Sequence, residues 1–214
     1  PLLYWASEYS GDASFLLAGQ AHAAMTEKAF IRPDGTLYHA VEYDTVSGER
    51  IRGYTFQGYS DESSWSRGAG WAVYGYAATA AATGDRRWLD LAIYIAEVWL
   101  GELGDRDCPP WDFTDPDPSP TLDSAAGAIM AAALLDIGAL HPDRKEGIRW
   151  TERGVCLLAG LASGHLATKK NYRGLLMHGC YSKPHEMMIR TARSAPQEPC
   201  YNKPRGRTHI SPCL

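Results

Sequence analysis

Three segments of the chain repeat one plan: an apolar helix, a short turn that ends in aspartate, and a second apolar helix. They are "YSGDASFLLAGQAHAAM", "ATGDRRWLDLAIYIAEV" and "LHPDRKEGIRWTERGVCLLAGL". A hairpin of two such helices cannot bury both apolar stripes on itself, so it has to stack on its neighbours. One helix of each pair is rich in Ala and Gly, and the other carries Leu, Trp and charge. That asymmetry predicts an all-α fold, a closed ring of hairpins (an α/α toroid) with small-residue helices crowded inside and inter-hairpin loops lining a bowl. An open helix-pair solenoid is the rival. It would need a stricter repeat, whereas Asp12 and Asp85 lie 73 residues apart and Asp143 follows after 58.

The helical spacing of apolar residues places helices over Leu2–Ser10, Ala13–Lys28, Trp65–Thr83, Arg86–Leu103 and Ser124–Leu140, and a last one reaching about Leu161. Asp123 stands where an N-cap would. Between residues 30 and 46 the pattern changes, and Pro33-Asp34-Gly35 reads as the turn of a small β-hairpin whose second strand carries His39. The opening "PLLYWASEYSGD" has no starting Met and no basic stretch, so it reads as the interior of a helix and not as a signal peptide. This favours a cytoplasmic location without fixing one. From Met187 the chain loses its period and gains Pro and Arg. The expected organisation is therefore a partial barrel domain over residues 1–186 and a divergent, disordered tail over 187–214.

Composition narrows the function by exclusion. With 45% hydrophobic and 21% charged residues the chain has the balance of an ordinary globular domain. A formal charge of −4 gives no basic footprint for nucleic acid. No uninterrupted apolar run approaches the roughly 18 residues of a membrane span, so no membrane partner is expected. The seven His form no HxH or HExxH pattern and the five Cys no CxxC pair, which leaves no expected metal site, disulfide framework or cofactor. No protein partner is indicated. The 7 Trp and 12 Tyr against 4 Phe are more informative, because flat rings with a polar handle suit both sugar stacking and the gaps between helices.

The segment "SDESSWSRGAGW" raises the chemical question. If Ser63 or Ser64 caps the helix, Arg67 falls in its first turn, where a cation opposes the helix dipole at a cost of about 0.3–1 kcal/mol. Two explanations stand side by side. Arg67 could grip an anionic ligand together with the free N–H groups, with Trp71 four residues on as an aromatic wall and Gly68 and Gly70 clearing the approach. Alternatively it could form an internal salt bridge to Asp61 or Glu62. His39 and Gln57 are further polar candidates. Asp112, in the rigid "PPWDF" loop, reads as a turn-maker, and adjacent Asp61 and Glu62 do not form an acid/base pair.

Taken in order, "PDGTLYHAVEYD", "QGYSDESSWSRGAGWAVYGYAATAAATGD", "PPWDF" and "DSAAGAIMAAALLD" resemble the unsaturated glucuronyl hydrolases of glycoside hydrolase family 88, over about residues 1–181. The resemblance implies an (α/α)6 barrel, incomplete here with six to seven helices, and so apolar surface left exposed. It implies a partner substrate, an oligosaccharide released by a polysaccharide lyase with a 4,5-unsaturated uronic acid at its non-reducing end. The family hydrates the C4=C5 double bond without a metal. By the same resemblance His39, Gln57, Arg67 and Trp71 surround the unsaturated uronate, and Ser182 contacts the next sugar or its sulfate. The family's acid/base aspartate would precede Pro1, so no catalytic residue is expected within the chain. A non-catalytic carbohydrate-binding remnant and a helical-repeat interaction scaffold are the alternative readings.

Overall fold

The computed structural model describes residues 1–168 and 174–183. Its three short turns share one local chemistry. Helix α1 (Leu2–Ser10) closes on Gly11 and α3 (Ser66–Thr83) on Gly84, both left-handed (φ 73° and 69°), a conformation a residue without Cβ adopts freely. Each following aspartate then starts the next helix. Asp12 accepts the Ser14 N–H (2.8 Å) at the head of α2 (Ala13–Phe30). Asp85 accepts from Arg87 (2.9 Å) at α4 (Arg86–Leu103). Asp143 accepts from Lys145 (2.8 Å) and Glu146 (3.2 Å) at α6 (Arg144–Gly164). The remaining helix, α5 (Ser124–Leu140), starts differently, as described below.

Short turns therefore lie at one end of the hairpins, and the long segments 31–65, 104–123, 165–168 and 174–183 gather at the other. The expected helices all form, with α2 and α6 running slightly further than their apolar pattern suggested. Ala-rich α3 and α5 pack against each other, α4 covers α3, and α6 covers α5. Ala126, Met130, Ala131, Ala133, Leu134 and Ile137 of α5 are wholly buried, which is what so many small side chains permit. Tyr76 stacks parallel on Trp88 at 5.7 Å, and Trp99 donates its indole N–H to the Ser66 carbonyl at 3.0 Å, tying α4 to the first residue of α3. The first hairpin is different. α1 buries no residue, and Leu2, Trp5 and Tyr9 are 73%, 58% and 80% exposed, the open apolar surface expected of an incomplete ring.

The β-hairpin is displaced from its expected place. Pro33–Gly35 does form a turn, but it is closed by a single bridge between Ile31 and Leu37. The ladder proper pairs β1 (Ala40–Tyr43) with β2 (Arg50–Tyr54), antiparallel, with an irregularity between Glu42 and Tyr43. Asp44 makes its turn, accepting the Val46 and Ser47 N–H groups at 2.9 and 2.7 Å. His39 thus stands in a bend ahead of β1 and not on a strand. Among the described residues no helix is long and apolar enough to cross a membrane, no group of three or more His, Cys, Asp or Glu is placed to hold a metal, and Cys108, Cys156 and Cys180 are free thiols. The expected tail from Met187, with Cys200 and Cys213, lies outside the described residues.

Candidate functional site

The long-connection end gathers an aromatic and polar cluster around Trp65. The His39 ring is held between Phe56 and Trp65, with centroids 4.1 and 4.2 Å away. Its Nδ1 lies 2.9 Å from Thr55 Oγ1 and accepts the backbone N–H groups of Phe56 and Gln57 at 3.4 and 3.3 Å. Backbone donors on Nδ1 leave the ring proton on Nε2, so His39 presents a neutral imidazole with one N–H. Burial favours that neutral form: it pushes the His39 pKa down to about 4, against the upward pull of a Gln57 hydrogen bond. The Gln57 side chain donates from Nε2 to the Tyr181 carbonyl at 3.2 Å.

Arg67 resolves the question its position raised. Neither Ser63 nor Ser64 caps α3: the N-cap is Trp65, with no side-chain capping bond. Ser63 Oγ turns instead to Asp112 (2.6 Å) and Ser64 Oγ to Glu102 (2.8 Å). Nor does Arg67 pair with Asp61 or Glu62, which face Arg52 and Arg32. Its guanidinium is bound by the wholly buried Asp123, Nε to Oδ2 and Nη2 to Oδ1, both at 2.9 Å. Nη2 also donates to the Cys180 carbonyl at 2.7 Å, while Nη1 makes no hydrogen bond to a described residue. A planar fork against a carboxylate is the arrangement for which Arg is suited. Asp123 occupies the N-cap position of α5 but makes no side-chain capping bond there.

The surrounding loops are fixed by buried polar groups. Asp112 is 1% exposed; its Oδ2 accepts from the Tyr59 N–H (2.9 Å) and Ser63 Oγ (2.6 Å), and its Oδ1 from the Thr114 N–H and hydroxyl (3.0 and 2.8 Å). Turn-making is thus its role, as expected, though it joins two loops and not one. Arg32 clamps the same region, donating to the carbonyls of Leu37, Glu62 and Ser63. The segment 174–183 crosses this end as a strap. Ser124 donates to the carbonyls of His178 and Met177, and Lys183 bridges Asp115 (2.7 Å) and Asp117 (2.9 Å), which raises the Lys183 pKa.

Of the five sequence-derived candidates, His39, Gln57 and Arg67 converge directly, Gln57 and Arg67 through adjacent carbonyls of the strap. Ser182 lies in that strap, 1% exposed, and its hydroxyl is buried without a partner, as are the indole N–H groups of Trp65 and Trp111. Trp71 stands apart. It is 37% exposed and meets Tyr74 edge-on, and the aromatic ring beside the Arg67 guanidinium is Trp65, at 6.0 Å. Gly68 does not clear a ligand path; a Cβ there would lie 2.7 Å from the Trp65 ring, and one at Gly70 would meet Ile129 of α5 at 3.4 Å. Asp123 and Trp65 are the site residues the sequence reading missed. Nothing local distinguishes Asp123 from the other N-cap aspartates.

Helical hairpins with short turns at one end and a polar, tryptophan-walled cluster at the other form part of an α/α barrel. No family model matches the chain. It is 34% identical over 167 residues to the unsaturated glucuronyl hydrolase of Bacillus sp. (strain GL1), a match covering 77% of this chain and 44% of that protein. The crystal structure of an unsaturated glucuronyl hydrolase from Bacillus sp. GL1, responsible for glycosaminoglycan degradation, superposes with a TM-score of 0.78 at 32% identity, over 84% of this chain and 48% of the other. A variant of the Streptococcus agalactiae enzyme, complexed with dGlcA-GalNAc6S, superposes at 0.75 with 26% identity, over 85% and 49%. In sequence and fold the chain is similar to unsaturated glucuronyl hydrolases over the part that it shares with them. It spans about half the length of the relatives it matches.

Proposed function

We propose that this chain forms the substrate-recognition half of an unsaturated glucuronyl hydrolase, acting on oligosaccharides that carry a 4,5-unsaturated uronic acid at the non-reducing end. The observation that carries this reading is the convergence of His39, Gln57 and Arg67 on one end of the hairpins, in a chain 34% identical to a hydrolase of that name. The neutral His39 offers an N–H to a sugar oxygen, Arg67 offers its remaining nitrogen to the uronate carboxylate, and Trp71 offers a half-exposed ring for stacking. Ser182 is assigned to the neighbouring sugar, by its place in the strap beside Tyr181 and Cys180, whose carbonyls meet Gln57 and Arg67.

The reaction is hydration of a vinyl ether. A proton adds to C4, water oxygen bonds to C5, and the hemiketal opens to a keto-uronate with release of the remaining saccharide. It differs from displacement between two carboxylates at a glycosidic carbon. We assign the proton transfer to an aspartate in the part of the family fold outside residues 1–214, and substrate recognition to this part. The test is titration with an unsaturated disaccharide while the ultraviolet absorbance of its double bond is followed. Binding that is lost in Arg67→Ala, with the absorbance constant, is the expected result. Loss of absorbance above the blank rate overturns the assignment of the acid, and absence of binding overturns the recognition role. Indifference to both Arg67→Ala and Trp71→Ala would instead favour a protein-binding helical scaffold.

A further inference from the structure

Among the described residues four helices have an aspartate at the N-cap, and three of the four use its carboxylate to cap the helix: Asp12, Asp85 and Asp143. The fourth, Asp123, does not. Its carboxylate, 0% exposed, turns away from the α5 N–H groups to hold the Nε and Nη2 edge of Arg67 at 2.9 Å on both bonds. Meanwhile its backbone is pinned, the N–H donating to the Pro109 carbonyl at 2.9 Å and the carbonyl receiving the Gly127 N–H at 3.3 Å. A carboxylate buried at the cost of a helix cap, and fixed on both sides by main chain, is positioned for its partner.

We propose that Asp123 is a positioning residue for the recognition site. This rests on the reading of Arg67 as a uronate ligand. Asp123 occupies one edge of the guanidinium and the Cys180 carbonyl shares Nη2, so only Nη1 can meet a ligand oxygen. The carboxylate also cancels the Arg67 charge. An anionic sugar at this site is therefore gripped through directed hydrogen bonds from a fixed nitrogen and not by a net positive field. Salt screens a field but leaves a short, directed bond between partly buried groups largely intact, so charge and position can be separated by experiment.

The test uses the full chain and an unsaturated uronyl disaccharide, with affinity measured calorimetrically at low and at tenfold higher salt. Asp123→Asn keeps size and one acceptor oxygen but removes the charge. It is expected to steepen the salt dependence of the affinity by about threefold relative to the parent chain. Asp123→Glu keeps the charge but displaces the carboxylate, and is expected to weaken binding about tenfold with the parent's salt dependence unchanged. A purely structural role would not move the salt dependence of one variant and the affinity of the other. Parent-like affinity and salt dependence in Asp123→Asn overturns the inference and leaves the recognition reading intact. No binding by the parent chain, or unchanged binding in Arg67→Ala, overturns the recognition reading and the inference with it. If Asp123→Asn fails to fold, Asp123→Glu decides alone, and parent-like affinity in that variant overturns the proposal.

Discussion

The site end of the molecule and the α1–α2 hairpin both contain tryptophan and tyrosine, and they end in opposite states. Around α3 and α5, Trp65 and Trp111 are buried among polar groups that are also buried: His39, Gln57, Ser63, Asp112 and Asp123. On α1, Trp5 and Tyr9 stack on each other at 5.2 Å in the open, and the helix buries nothing. What separates the two is the supply of partners. The buried side chains of His39, Gln57, Ser63, Asp112 and Asp123 each bond to another segment of the chain, so segments far apart in sequence must arrive together. α1 makes one such long-range bond, from Tyr4 Oη to Thr79 at 3.0 Å. Aromatic content alone does not build a core; neighbours arranged to cover it do.

The largest expected effect lies beneath the site. Trp99 is 1% exposed, meets Phe113 edge-on at 5.5 Å and donates to Ser66, where α3 begins. Trp99→Ala removes that bond and leaves a cavity, at a cost of about 3–5 kcal/mol in urea unfolding. A loss below about 1 kcal/mol would show that the two ends are equally loose, and the comparison would fail.

Asp112→Asn tests the polar half of the argument with almost no change in volume. The two carboxylate oxygens of Asp112 each accept a fixed backbone N–H, from Tyr59 on one side and Thr114 on the other. An amide must turn its NH2 toward one of them, whichever way it is placed, so a donor faces a donor. The expected loss is about 1–3 kcal/mol. Restored stability in a variant that also lacks the opposing donor is not available here, because both donors are main chain, so unchanged stability would mean that the loops are held by other contacts.

His39 sharpens the same point through pH. Burial lowers its pKa from 6.5 to about 4, so the unfolded chain takes up the proton first as pH falls. The contribution of neutral His39 is complete above about pH 6.5 and is lost as pH falls toward about 4. Relative to His39→Gln, the parent chain should lose on the order of 1–2 kcal/mol across that window, allowing for partial screening by solvent. A difference between the two chains that does not vary with pH would place His39 in water.

The fold was legible because its signals are local and periodic. Gly-Asp turns, apolar periodicity and Ala-rich stripes specify helix ends and inner faces without knowledge of the partner, and the six helices among the described residues follow from them. The hairpin was misplaced because Pro33-Asp34-Gly35 is the stronger turn signal, and it drew attention from Asp44–Gly48, where Gly48 takes a left-handed conformation (φ 72°) and closes the turn between the paired strands. At the site, Arg67 was legible as a charge in the wrong place, but not its partner. Asp123 lies 56 residues away and looks like every other N-cap aspartate of this chain, and only tertiary packing sets it apart. Trp71 was favoured over Trp65 because i, i+4 spacing is visible in sequence. Trp65 is the last residue before the helix, extended and bridged to Asp112, and its ring lies back over Gly68, which no periodic rule anticipates.

The smallest effect belongs to the other side of the comparison. Trp5 is 58% exposed and touches Tyr9 one turn on, so Trp5→Ser removes surface that water already reaches. Its loss should change unfolding free energy by less than about 0.5 kcal/mol. Colloidal behaviour should respond more. Leu2, Trp5 and Tyr9 form a contiguous apolar face on α1, and an open face of that kind promotes association. Sedimentation at increasing concentration should therefore show less self-association for Trp5→Ser than for the parent chain, with the melting curve unmoved. A destabilisation above about 1 kcal/mol would mean that α1 is held by contacts through Trp5, and the contrast between the two ends would then be one of degree and not of kind.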